Sequence, residues 1–178
     1  NMHEETYYHS INLVLESDYR KLKKLRSASG SWEEVWRHLP AAEKKEHNPE
    51  SDWRSLEQSK IRLILRESEE YPSLLGEVHD APFGLYVLGT LPAPSDRTLA
   101  MVGTRKATTE GKELARRFAE ECAKKDFIIV SGLAFGIDAA AHGGCLEAKG
   151  RTIAVLGNGL DDVYPHSNER LARQILEA

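Results

Sequence analysis

The sequence lacks any apolar run approaching the ~20 residues that a membrane-spanning helix needs. Its N-terminus lacks the basic-then-apolar layout of a secretory signal. Asn1 ahead of Met2 reads as an expression remnant. Cysteine is scarce: Cys122 and Cys145 alone, each on the apolar side of a helix-like pattern. That excludes a disulfide framework and predicts buried free thiols in a reducing, cytoplasmic setting. Excess positive charge is also missing. With 24 Lys and Arg against 28 Asp and Glu, the net charge is −4, which disfavours a polyanion binder that is basic all over. No Walker A pattern is present, so ATP hydrolysis is not expected.

What is present begins with a polar stretch, residues 1–60, rich in Glu and Lys and without a strand-like apolar run. Short helical patterns run through it. Ser31-Trp32-Glu33-Glu34 reads as a capping box opening a helix that Pro40 closes. Residues 41–50 read as a charged connection, and Asp52–Gln58 as a further short helix. Trp32, Trp36 and Trp53 are the expected core of this small helical domain; an exposed aromatic platform is the alternative.

The character changes at Lys60, and residues 61–178 alternate between strand and helix patterns. Ile61–Leu65 and Gly84–Gly89 read as strands. Leu99–Val102 reads as the first central strand, and Phe127–Val130 and Thr152–Leu156 as buried parallel strands. Thr108 is a fair N-cap for a helix whose apolar face is Gly111, Leu114, Ala115, Phe118, Ala119 and Cys122. A second helix runs from about Gly136 to Ala148, and a last one starts near Ser167. The expected fold is therefore α/β: a Rossmann-like open parallel sheet behind a small helical domain.

In such sheets ligands bind outside the carboxyl ends of the strands, where helix N-termini offer free N–H groups suited to phosphate. Gly103, Thr104, Arg105 and Lys106 follow one strand; Ser131, Gly132, Ala134 and Gly136 end the next. Together they predict two walls of one anion-binding crevice, with the Arg105 guanidinium as its charge. The span Thr98–Phe118 holds five Lys or Arg against two Glu, a local basic face on an acidic chain. Asn158 and Asn168 are candidate lining residues. Phe135 is expected to be buried, with base stacking as the alternative. Asp138 and His142, four apart on one helix face, read as a hydrogen-bonded structural pair holding the loop. No second His or Cys stands at ligand spacing to make them a metal site, and no nucleophile is marked. Gly157-Asn158-Gly159 half-matches a dinucleotide fingerprint, but Asp162 replaces its third glycine, so no nicotinamide cofactor is expected.

Four blocks, in order, resemble the DNA-processing protein A (DprA, or Smf) family. They are Tyr71-Pro72 with Pro82 and Gly89; Val102-Gly103-Thr104-Arg105; Ser131–Asp138 with His142; and Gly157–Asp161 with Tyr164-Pro165 and Asn168. They cover roughly residues 61–178. The resemblance implies a protein that binds single-stranded DNA and hands it to a RecA-type recombinase during natural transformation, without being an enzyme. It also implies further strands, a second basic motif and the family's dimer contacts beyond Ala178. On that reading the chain is a fragment with one sheet edge uncovered and a compromised homodimer. The rival class is a nucleoside-monophosphate phosphoribohydrolase, which needs a Gly-Gly-x-Gly-Thr loop that is not found here.

Overall fold

A computed structural model describes residues 3–178; the remnant reading of Asn1 lies outside them. The chain divides into two compact units, the first ending at Leu88 and the second spanning Gly89–Ala178.

The first unit opens with five helices: α1 (Glu4–Val14), α2 (Tyr19–Ala28), α3 (Trp32–His38), α4 (Ala41–Lys44) and α5 (Pro49–Gln58). Local chemistry sets their starts. The Asp18 carboxylate accepts from the N–H groups of Arg20 and Lys21. The Ser31 hydroxyl accepts from Glu34 N at 3.1 Å, while Glu34 reaches back to Gly30 N at 2.7 Å. The Asp18 and Ser31 bonds answer helix-end donors that would otherwise go unpaired, and the Glu34 bond ties down the residue before the cap. Trp32 is buried, with the ring of Tyr8 packed edge-on 4.9 Å away. Trp36 and Trp53 only flank this core.

Strands β1 (Arg62–Leu65) and β2 (Gly84–Val87), separated by α6 (Ser73–Gly76), pair antiparallel in the register Leu63↔Tyr86. Leu63 and Leu65 enter the same core as Tyr8, Ile11 and Trp32. These strands therefore belong to the first unit, although the sequence pattern changes at Lys60. Helix α4 falls inside the segment expected to be a bare connection.

The second unit is a parallel sheet in the order β3-β4-β5, with crossover helices between the strands. Its elements are β3 (Arg97–Ala100), α7 (Thr109–Ala123), β4 (Phe127–Ser131), α8 (Ile137–Glu147), β5 (Thr152–Ala154) and α9 (Glu169–Glu177). The expected α/β class holds. Strand β3 sits two residues earlier than the sequence pattern predicts, which leaves Val102 in the following loop, 73% exposed. All four β3 residues are exposed, and β3 pairs only with β4 among the described residues.

Thr108 caps α7 through Gly111 N at 3.1 Å. The inward face of α7 is Ala115, Ala119 and Ala123; Leu114 and Phe118, expected inside, are more than half exposed. The reason is tertiary. A Cβ on Gly144 of α8 would collide with the Arg116 carbonyl, so the two helices meet backbone to backbone. Only small side chains fit such a seam. Cys145 is buried there, its thiol donating to the Arg151 carbonyl at 3.1 Å. Cys122 is half-exposed rather than buried, and both thiols are free. No helix among the described residues is long and apolar enough to cross a membrane.

Candidate functional site

Both loops at the carboxyl ends of β3 and β4 carry glycine at close approaches. A Cβ on Gly103 would stand 2.6 Å from Ile137 Cγ1. One on Gly136 would strike the Thr104 carbonyl and lie 2.9 Å from that of Arg105, and Gly136 adopts φ +80° besides. The N–H of Ile137 donates to the Thr104 carbonyl at 3.3 Å. Gly103–Lys106 and Gly132–Gly136 are thus docked closely on each other, with the Ile137 side chain against Gly103.

Asp138 pins this junction. Its carboxylate is 6% exposed and accepts from Gly132 N at 3.0 Å and Gly103 N at 3.4 Å. The two loop amides that a phosphate would seek are already satisfied by this internal anion. That corrects the expectation that the Gly103 and Gly132 N–H groups are open to a ligand. Asp138 and His142 are not hydrogen-bonded to each other either. His142, fully buried, faces Thr152 Oγ1 at 2.7 Å. Thr152 Oγ1 donates to the Ile129 carbonyl at 2.8 Å, so it must accept from His142 Nδ1–H. His142 Nε2 has no hydrogen-bond partner among the described residues. Burial pushes the imidazole down to about 4, against a smaller upward pull from Asp138. The ring is neutral at physiological pH. Among the described residues no cluster of three His, Cys, Asp or Glu could hold a metal.

The second loop spends its polar groups on structure. Ser131, buried, donates from Oγ to the Met101 carbonyl at 2.6 Å. Leu133 takes a left-handed φ of +58° and is 1% exposed. The amide of Asn168, from the 3-10 turn His166–Asn168, donates to the Leu133 carbonyl at 2.9 Å and lies 3.5 Å from that of Ala134. Asn168 is therefore a brace for this loop, where the sequence suggested a lining residue. Asn158 is likewise turned into its own turn, donating to the Gly159 and Asp162 carbonyls. Phe135, expected inside, is 46% exposed, because Leu133 takes the buried place.

The first loop spends almost nothing. Gly103, Thr104, Arg105 and Lys106 are all exposed. Thr104 Oγ1 accepts from Lys106 N at 3.2 Å and keeps its own proton to donate. No carboxylate lies within 4.0 Å of the Arg105 or Lys106 cationic groups among the described residues. Arg105 is thus not paired with Glu110 or Asp138. The arrangement is an open, cationic ledge on a braced base, able to hold an anion. The brace role of Asn168 and the left-handed anchor at Leu133 are what sequence reasoning missed. A left-handed leucine has no sequence signature, and an Asn side chain donates equally well to phosphate and to a carbonyl.

A parallel βαβαβ unit with docked strand-end loops defines the Rossmann-like class. Residues 62–178 match the family model described as DNA recombination-mediator protein A. The chain belongs to that family. It is 42% identical over 123 residues to Protein Smf of Synechocystis, covering 67% of this chain and 31% of that one. It is 39% identical over 113 residues to DNA processing protein DprA of Bacillus subtilis, covering 63% and 38%. The chain spans about a third of the length of these curated relatives. The crystal structure of DprA from Streptococcus pneumoniae superposes with a TM-score of 0.66 at 26% identity, covering 98% of this chain and 65% of that one. DNA processing protein A of Helicobacter pylori, described for its single-stranded DNA binding mode, gives a TM-score of 0.54 at 28% identity over 66% of this chain and 53% of that one.

Proposed function

We propose that the second unit binds single-stranded DNA through its sugar-phosphate backbone at the first loop, with no chemical step. The observation that carries this is the exposed Arg105–Lys106 pair, without a carboxylate partner among the described residues, on a loop whose shape the buried Asp138 carboxylate fixes. Arg105 supplies a fork for phosphate oxygens, Lys106 a second charge, and the Thr104 hydroxyl a donor. Gly103, Gly132, Gly136, Ser131, Asp138, Asn158 and Asn168 build and brace the seat. The Ala134 backbone borders it. Half-exposed Phe135 offers a face on which a base can stack. Base sequence matters little to such a seat.

The family's DNA-processing names and the single-stranded DNA described for the Helicobacter pylori relative support this reading. In the whole protein the role is to protect incoming single strands in the cytoplasm and to help load a RecA-type recombinase during natural transformation. The first unit, up to Leu88, acts as an accessory domain, and the second unit, Gly89–Ala178, carries the DNA-binding part. A nucleoside-monophosphate enzyme is disfavoured because the amide pair that would cradle its phosphate already holds Asp138.

Fluorescence anisotropy with labelled oligo(dT) at two salt concentrations tests the proposal. Wild type should bind in a salt-dependent way and ignore AMP as competitor. Arg105→Ala should weaken binding alike for all sequences and lower the salt slope by about 0.7–1. Equal affinity for wild type and Arg105→Ala at both salts would sink it.

A further inference from the structure

The first unit is acidic as a whole. Up to Leu88 the sequence holds twelve Lys and Arg against sixteen Asp and Glu. Helix α2 runs the other way: its ten residues carry Arg20, Lys21, Lys23, Lys24 and Arg26 and no acid.

This placement works against the helix. Arg20 and Lys21 sit in its first turn, where the macrodipole disfavours cations. Arg20 and Lys24 are like charges one turn apart, and Lys21 and Lys24 lie three apart. Two of the five cations are answered by the unit itself. Lys23 Nζ lies 3.3 Å from Asp80, and Arg26 Nη2 lies 3.8 Å from Glu67. Lys21 has only the capping Asp18, at 3.8 Å. Arg20 and Lys24 have no carboxylate within 4.0 Å among the described residues. Arg20, Lys21 and Lys24 are the exposed three. Burial of Leu22, with Leu25 against the core and Tyr19 on Phe83, accounts for the inward face of the helix but not for this outward one. A rule of helix stability is broken on one exposed face, answered among the described residues by the capping Asp18 alone, and such breaks mark function.

We propose that the face of α2 formed by Arg20, Lys21 and Lys24 is a second polyanion contact that takes the phosphate backbone of single-stranded DNA. The identity of this ligand rests on the reading of the second unit given above; the charge pattern does not. Three cations at spacings i, i+1 and i+4 form a triangle on one helix face and can straddle a flexible strand. The contact reads no bases, since the face carries no aromatic or amide group among these three side chains.

The test uses the full chain and oligo(dT) anisotropy across a salt series. The variant Arg20→Gln/Lys21→Gln/Lys24→Gln should lower the slope of log affinity against log salt by about 2, from roughly 0.7 per phosphate released. It should bind at least ~10-fold more weakly at the lowest salt. Its Tm should hold or rise, because repulsion within α2 is relieved; a face with a merely structural role would lower it. A second variant, Lys44→Gln/Lys45→Gln/Lys60→Gln, removes the same charge elsewhere on the unit and should keep most of the slope. An unchanged slope in the α2 variant, or the same loss in the second variant, overturns the proposal. So does polyglutamate competing as well as unlabelled oligo(dT), which would mark an acidic-polypeptide surface instead. If Arg105→Ala binds normally while the α2 variant does not, this contact stands and the ledge in the second unit fails. The reverse result removes the α2 contact alone.

Discussion

The two strand-end loops of the second unit divide one task unequally. The loop after β4 is a fastener: Ser131, Gly132, Leu133 and Ala134 all place hydrogen bonds inside the protein. The loop after β3 is a display: Thr104, Arg105 and Lys106 are exposed, and neither cationic group has a carboxylate partner among the described residues. A seat for a charged ligand need not offer every polar group it contains. Most of them here hold the few that face outward, which is how preorganised sites keep their geometry.

That contrast makes a sharp rule: damage to the fastener costs stability, and damage to the display costs binding alone. The largest effect should come from Gly136→Val, which puts a branched side chain at φ +80° against the Thr104 and Arg105 carbonyls. A loss of roughly 3 kcal/mol or more is expected, with binding lost as well; thermal unfolding and anisotropy measure both. Asp138→Ala should follow closely. It strips the acceptor from two amides and costs about 2–3 kcal/mol in chemical denaturation. If Asp138→Ala kept full stability, the fastener reading would be wrong.

Next comes pH. With the His142 pKa depressed to about 4 in the folded chain and 6.5 as its ordinary value, the unfolded chain takes up the proton first as pH falls. This residue's stabilising contribution is therefore complete above about pH 6.5 and drains away toward pH 4. It amounts to roughly 3 kcal/mol at most. The difference between wild type and His142→Gln in denaturation midpoints across that window should show it. Flat behaviour of the difference would argue that the ring is not held neutral. Smallest of all, Arg105→Ala should change stability by less than ~0.5 kcal/mol while weakening oligo(dT) binding. A large stability loss there would erase the distinction between the loops.

Much of this was legible in the chain itself. Apolar runs ending in Gly103 and in Ser131-Gly132 announced parallel strands with loops at their tips, and Thr108 announced α7. What misled was decided by partners distant in sequence. Leu114 and Phe118 follow helical spacing with the apolar face, but Gly144 brings α8 too close for them, and alanines take the seam. Leu133 rather than Phe135 takes the buried place, where the chain turns left-handed at Leu133, which no residue type there advertises. Strands β1 and β2 read as part of the α/β region by composition, yet Leu63 and Leu65 point into the aromatic core of the helical unit. Asn168 was read as a contact because an amide's chemistry names its partners only when the neighbouring carbonyls are known.

The backbone seam between α7 and α8 has one further consequence. Each helix begins directly after one of the two loops, so the seam fixes the span between them before any strand arrives. Such a platform has little freedom to reshape around its cargo. Encounter should be governed by charge and ionic strength alone, and stopped-flow mixing should give a single association phase whose rate rises linearly with oligonucleotide concentration.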